Sequence, residues 1–139
     1  MIILDTNVVS GLMANSPHAA LVAWIDRQAR ASVWTTAITV YEVRIGLLRL
    51  PAGRRRTALD QAFAAFLSSD IAGRILPFDA AAAEEAAVLD AGRQAAARNI
   101  DIRDTQIAGI ALARRAGIAT RNVRDFADLS VPVVDPWAA

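Results

Sequence analysis

The chain has no cysteine, no lysine and a single histidine, and no apolar run reaches the ~18 residues that a membrane span needs. Without cysteine there is neither a disulfide framework nor a thiolate zinc site. Without lysine there is no P-loop lysine, no Schiff base, and no lysine of the kind that receiver and haloacid-type phosphotransfer domains set beside their acidic pockets. Those are the main competitors for an aspartate at the end of a first strand, where this chain has one. One histidine cannot supply a histidine acid–base pair. His18 also lies in what reads as the exposed first turn of a helix, an ordinary place for a surface residue. The Met-Ile-Ile start carries no basic n-region, so a cytoplasmic protein away from membranes is expected.

What is present is apolar and arginine-rich. The 139 residues suit one domain, residues 1–139, large enough to bury a core. Apolar content is 55%, above the usual ~45–50%. Much of the excess is alanine, which favours helix and contributes little burial, so a helix-rich domain with some apolar surface left for a partner is expected. Net charge is only +1, yet all 15 basic residues are arginine. The planar guanidinium suits phosphate and RNA contact, but a GC-rich genome produces the same bias, and that reading carries more weight. The triplet Arg54-Arg55-Arg56 reads first as a solvated helix end and second as an RNA contact.

The chain is organised around its first stretch, Met1-Ile2-Ile3-Leu4-Asp5-Thr6-Asn7, an apolar run that stops abruptly in polar residues. It fits a buried strand, which puts Asp5 where a parallel strand ends and its loop begins, and ligands of open α/β sheets bind just outside such ends. Asp5 is then either the first residue of an active site or a turn-former that caps the next helix. Thr6 to Met13 reads as a turn or short helix. Ser16-Pro17 predicts an N-cap and first helical residue for a helix to about Ala29, with Leu21, Trp24 and Ile25 on one face. A strand over Ser32–Thr35 and a helix from Ala37 to about Leu50, capped by Thr36, come next. Further helices are expected over about Arg54–Leu67, about Ala80–Arg98 capped by Asp79, and from near Arg103, the last closed by Arg114, Arg115 and Gly117. Pro77 makes Arg74–Phe78 an edge strand, and Ile118–Thr120 and Val131–Val134 are the last strands.

Three more acidic residues stand in comparable places. Glu42 has Ile38 at i−4 and Ile45 at i+3, so it shares a face with apolar residues and needs a partner. That partner is either an arginine, with Arg44 a poor one because i and i+2 do not face each other on a helix, or a metal ion shared with Asp5. Asp104 lies on the inward face set by Ile107, while Asp101 is the better cap, which leaves Asp104 free for chemistry. Asp125 follows the strand Ile118–Thr120. Sequential strand–helix units place such strand ends along one sheet edge, so Asp5 and Asp125 can meet despite their separation in sequence. Glu84 and Glu85, in the first turns of their helix, read as structural.

Asp5-Thr6-Asn7, a single Glu42 in an apolar helix, Asp104 ahead of Ile107-Ala108, and Thr120-Arg121-Asn122-Val123-Arg124-Asp125-Phe126 together resemble the PIN-domain ribonuclease toxins of bacterial VapBC-type toxin–antitoxin modules. Ala72-Gly73-Arg74-Ile75-Leu76-Pro77-Phe78-Asp79 and Pro136-Trp137 look most like the FitB-like branch. Each motif alone is weak; four in this order, over essentially the whole chain, are specific. Gly109 stands where many relatives have alanine, and Asp101 adds an acidic residue outside the usual set.

The resemblance implies an α/β fold, a three-layer α/β/α PIN-like domain with a central, mainly parallel, short-stranded sheet. It also implies an endoribonuclease with Asp5 and Asp104 as principal metal ligands. Glu42 is then a ligand or the orienter of the attacking water, Asp125 completes the site, and Thr6, Thr120 and Asn122 position water or phosphate. An all-oxygen donor set without cysteine suits Mg²⁺ or Mn²⁺ rather than Zn²⁺. Implied partners are RNA, a cognate antitoxin that inserts a basic residue into the acidic site, operator DNA through that antitoxin, and a second copy of the chain. The alternative is a catalytically weak partner of a DNA-binding antitoxin in an operator-regulating complex.

Overall fold

A computed structural model describes residues 1–139. Five short strands, β1 (Ile2–Leu4), β2 (Val33–Thr36), β3 (Ile75–Leu76), β4 (Gly117–Ala119) and β5 (Val133–Val134), form one sheet in the order β3-β2-β1-β4-β5. Every neighbouring pair is parallel, so the sheet is wholly and not just mainly parallel. β3 is an edge strand, as Pro77 beside it requires. Six helices surround the sheet: α1 (Thr6–Met13), α2 (Ala19–Asp26), α3 (Ala37–Leu48), α4 (Arg54–Ala65), α5 (Ala80–Ala95) and α6 (Ile102–Arg114).

Successive strand residues point to opposite faces, and that alternation builds two cores. Leu4 and Ala119 face a cluster with Val8, Leu21, Trp24, Val43, Leu47 and Phe63 from α1 to α4. Ile3 and Ile118 face a second cluster with Ala82, Ile107, Ile110 and Phe126, under α5 and α6. The result is the α/β/α sandwich. Ile3, Leu4 and Ile118 are fully buried, each contributing about 1.5–3 kcal/mol by leaving water. The alanine-rich α5 contributes closeness instead of bulk. A Cβ on Gly109 of α6 would lie 2.6 Å from the Ala82 carbonyl oxygen and 2.7 Å from Ala86 Cβ. Glycine at 109 is therefore what lets the two helices approach.

Several boundaries differ from the sequence expectation. α2 is capped not by Ser16 but by His18, whose Nδ1 accepts from the Ala20 N–H at 3.2 Å. The lone histidine thus supplies an acceptor at a helix end, and the helix stops at Asp26, short of Ala29. α3 and α5 end earlier than expected, at Leu48 and Ala95. α4 passes at Phe66 into a wider π turn, Phe66–Asp70, which buries Phe66. α6 is not closed by Gly117: Arg115 takes the left-handed conformation, φ +52°, and Gly117 begins β4. The caps at Thr36, Asp79 and Asp101 stand as expected.

Candidate active site

The order of strands reverses at β1, which has β2 on one side and β4 on the other. In parallel sheets such a switch point opens a crevice at the carboxyl ends of the strands. Leu4 is in register with Ala119, and the Asp5 N–H donates to the Ala119 carbonyl at 3.0 Å. Asp5 and Thr120 therefore leave the sheet side by side.

The capping reading of Asp5 holds, and its second carboxylate oxygen is engaged across the strand ends. Its Oδ1 accepts the Thr6 N–H at 2.8 Å and caps α1. Its Oδ2 accepts the Thr120 hydroxyl at 2.7 Å and the Asn7 side-chain amide at 3.3 Å. The side chain is nonetheless buried, and burial raises its pKa; the hydrogen bonds from Thr120 and Thr6 oppose the rise and the charge of Asp125 adds to it.

Thr6 links Asp5 to the second carboxylate, because its hydroxyl donates to Glu42 Oε1 at 2.8 Å. Glu42 is half-buried on α3, and burial lifts its pKa against the Thr6 hydrogen bond and the charge of Arg103. Arg103 Nε is 4.0 Å from Glu42 Oε2 and 3.4 Å from Asp101 Oδ1, so it is a shared and weak partner. Arg44 is no partner: it pairs with Asp60 at 3.6 Å and lies over the Phe63 ring.

Asp101 caps α6 through the Arg103 N–H at 2.8 Å, which frees Asp104 one turn inward. The Asp104 carboxyl is half-buried and its pKa is pushed up to about 7. Burial is the largest cause, followed by the charges of Asp5, Asp125, Glu42 and Asp101. Asp125 stands in a 3₁₀ turn, Val123–Phe126, pinned by the buried Phe126. Asn122 contributes its main-chain N–H, 3.0 Å from Thr120 Oγ1, whereas its side chain makes no hydrogen bond to the carboxylates. The Thr120 hydroxyl proton is committed to Asp5.

Four carboxylates thus face a common space with one shared, half-exposed arginine near them. They do not close into a ready group of three or more metal ligands. That arrangement fits Mg²⁺, which sheds water reluctantly and is ordinarily held by one or two carboxylates with several waters. The oxygen-only donors and the upward pull on Asp104 both favour a hard divalent cation at this place.

Sequence reasoning missed Asn7 and Arg93. Asn7 bridges Asp5, Thr120 and the Arg121 N–H, which donates to Asn7 Oδ1 at 3.1 Å. Arg93 is 3% exposed. Its guanidinium donates to Thr105 Oγ1 at 2.8 Å, to the Asp125 carbonyl oxygen at 2.6 Å and to both carboxylate oxygens of Asp128 at 3.0 Å. It therefore fastens the Asp125 turn to α6 beside Asp104. A signal existed: Arg93 continues the spacing Ala82, Ala86, Leu89 along the buried face of α5. A cavity of about 610 Å³ lies elsewhere, among Leu12, Met13, Ile25, Phe66 and Ile71, and touches none of the four carboxylates.

The model of the family described as "PIN domain" matches residues 2–131. The chain is 39% identical to the VapC ribonuclease Y4jK of Sinorhizobium fredii, covering 99% of this chain and 98% of that one. It is 34% identical to Toxin FitB of Neisseria gonorrhoeae over 99% of each. A solved structure of FitAB bound to an IR36 DNA fragment superimposes with TM-score 0.89 and 34% identity, covering 99% of this chain and 96% of that one. With the parallel sheet, the acidic switch point and these full-length likenesses together, the chain belongs to the PIN domain family, in the company of the VapC and FitB proteins.

Proposed function

We propose that the chain is the toxin of a type II toxin–antitoxin module and a Mg²⁺- or Mn²⁺-dependent endoribonuclease. The observation that carries this reading is the cluster of Asp5, Glu42, Asp104 and Asp125, in which burial, with the charges of the other carboxylates adding to it, pushes the Asp104 carboxyl up to about 7. The likeness to Y4jK, a protein named as a ribonuclease, supports the same chemistry.

Asp5 and Asp104 would hold the metal, with Asp125 completing the site. When bound, a divalent ion supplies charge neutralisation at the phosphodiester and a lowered pKa for water. The chain's own groups do the rest. Thr6 fixes Glu42 Oε1 at 2.8 Å, which aims the other carboxylate oxygen at the water that attacks phosphorus. A new P–O bond forms to that water, which gives up a proton to solvent, as one ester P–O bond breaks and the departing sugar oxygen takes a proton from solvent. Thr120 and Asn7 hold Asp5 in one rotamer, so little reorganisation accompanies the reaction.

The same negative pocket supports the partner reading. A cognate antitoxin would insert an arginine among the carboxylates, since a guanidinium can engage two carboxylate oxygens and stays charged. Its apolar residues would pack along the groove that begins at Thr6 and Glu42 and continues past Val43, Leu47 and Leu59. The likeness to FitAB on DNA favours an operator-bound complex, with a homodimer of this chain within it. It also favours a second reading, in which complex formation is the main role and cleavage is weak. One experiment separates them: purified protein is incubated with a panel of cellular RNAs in Mg²⁺ or Mn²⁺ and in EDTA. Metal-dependent scission supports the nuclease; intact RNA in every lane leaves the binding role. A monomeric mass by light scattering at micromolar concentration would remove the homodimer.

A further inference from the structure

We infer that Arg121, braced by Trp137, is a subsite for single-stranded RNA. It would bind the phosphate and stack the base of a nucleotide flanking the bond to be cut. The inference rests on the nuclease reading and adds a substrate contact outside the carboxylates.

The site has a charge problem of its own. RNA brings one negative charge per nucleotide to a pocket of four carboxylates, and a metal at the centre does nothing for the neighbouring phosphates. A cation at the rim is needed, and most candidates are already engaged. Arg93 and Arg98 are bound to Asp128, Arg44 to Asp60, and Arg103 is shared between Glu42 and Asp101. Arg121 is exposed, and its guanidinium makes no ion pair and no hydrogen bond to the chain.

Its place is fixed from two sides. The main chain is anchored one residue beyond Thr120, the Asp5 partner, and its N–H is held by Asn7. The guanidinium carbon lies 4.6 Å from the centre of the Trp137 ring. That ring is itself seated, because a Cβ on Gly11 would come within 2.9 Å of Trp137 Cζ2, so the indole fills the space a side chain there would take. The main-chain N–H of Trp137 donates to Asp135 Oδ1 at 2.9 Å, which holds the backbone that carries the ring. Arg124 and Arg55 are also exposed and unpaired, and Arg55 lines the groove beside Thr6 and Glu42, but no aromatic ring supports either. A free arginine loses much rotamer entropy on binding; one already held against an indole loses less. Its outer face offers a charged plane for a base and a fork of donors for a phosphate, the two features by which unpaired RNA is recognised.

The test uses the Asp5→Asn protein, so that RNA stays intact, and a fluorescein-labelled single-stranded 12-mer RNA read by anisotropy across a salt series. Adding Arg121→Gln should weaken binding about tenfold and reduce the slope of log affinity against log salt by about 0.7, one phosphate contact on a single strand. Arg121→Lys should keep the slope and lose part of the affinity, since the charge remains and the plane does not. In the otherwise unaltered chain, Arg121→Gln should raise KM with little change in kcat. Mn²⁺ affinity by calorimetry and the thermal midpoint should stay where they were, which a merely structural tie to the C-terminal segment would not allow. Unchanged RNA affinity and slope in Arg121→Gln, with RNA still cut by the parent, overturns this inference and leaves the nuclease reading standing. Loss of antitoxin binding alone also overturns it, by assigning Arg121 to the protein partner. A parent chain that neither binds nor cuts RNA overturns both.

Discussion

Two charged clusters lie on either side of the Asp125 turn, and they are built on opposite plans. Around Arg93, opposite charges meet. Asp128 takes a bidentate pair from Arg93 and a further contact from Arg98 at 2.8 Å, and its pKa is lowered, chiefly by the Arg93 hydrogen bond. No buried side-chain nitrogen or oxygen in the chain lacks a partner. Around Asp104, carboxylates meet carboxylates, and Asp5, Glu42 and Asp104 all have raised pKa values, chiefly through burial, with the charges of their acidic neighbours adding to it. The first cluster is complete within the chain. The second is left short of positive charge, which is the condition for binding a cation from outside. The complete cluster also positions the incomplete one, through the bond from Arg93 to the Asp125 carbonyl.

The largest effect should come from removing charge on the incomplete side. Asp104→Asn or Asp5→Asn should lower RNA cleavage about a thousandfold or more, roughly 4 kcal/mol of barrier. The same changes should raise the melting temperature in EDTA, because repulsion is relieved. A variant that cuts RNA like the parent, or that melts lower in EDTA because the Asp5 cap is lost, would break the comparison on that side.

The complete side should respond in the opposite sense. Arg93→Met leaves Thr105, the Asp125 carbonyl and half of Asp128 without their donor, so it should cost about 2–4 kcal/mol in urea unfolding. Activity should fall with it as the Asp125 turn loosens. Arg93→Lys should recover only part of either loss, since one ammonium cannot span three acceptors. If Arg93→Met proved as stable as the parent, the cluster would not fasten the Asp125 turn to α5 and α6.

Mg²⁺ should act on one cluster only. Added at about a hundred times its Kd, it should stabilise the parent by about 2.7 kcal/mol, seen as a higher melting temperature, and leave the Asp5→Asn/Asp104→Asn protein unchanged.

The smallest effect, and the finest comparison, is with pH in the absence of metal. Asp104 has a folded pKa of about 7, above its ordinary value of 3.8. Folding therefore favours its protonated form, and this contribution is complete below the ordinary value and lost as pH rises toward 7. Solvent screening at a half-exposed group brings the loss to about 1–2 kcal/mol. Asp128 has a lowered pKa, so its contribution is present above 3.8 and lost as the pH falls through the lowered value. Melting temperature in EDTA should then decline from about pH 4 to pH 7 in the parent, and the decline should flatten in Asp104→Asn but persist in Asp128→Asn.

Local chemistry was enough to read the sheet edge from the sequence. An apolar run ending at Asp5, a strand end at Thr120, caps at Thr36, Asp79 and Asp101, and an edge strand beside Pro77 all depend on near neighbours in the chain. The acidic residues could be picked out because Glu42 and Asp104 interrupt apolar helix faces. What depended on distant segments could not be read. The start of α2 moved to His18 because its ring nitrogen found a helix N–H, and the end of α6 moved to Arg115 because Gly117 was already paired with Ile2 in the sheet. Gly109 carries no local sign that α5 will press against it. The balance of charge was also hidden, since Arg93 meets Asp128 only when α5 and the Asp125 turn are brought together, 35 residues apart. The sequence alone determined which residues carry charge and at which strand ends they stand. The tertiary structure decided which of those charges are neutralised, because burial and pairing are set by neighbours that the linear order does not place.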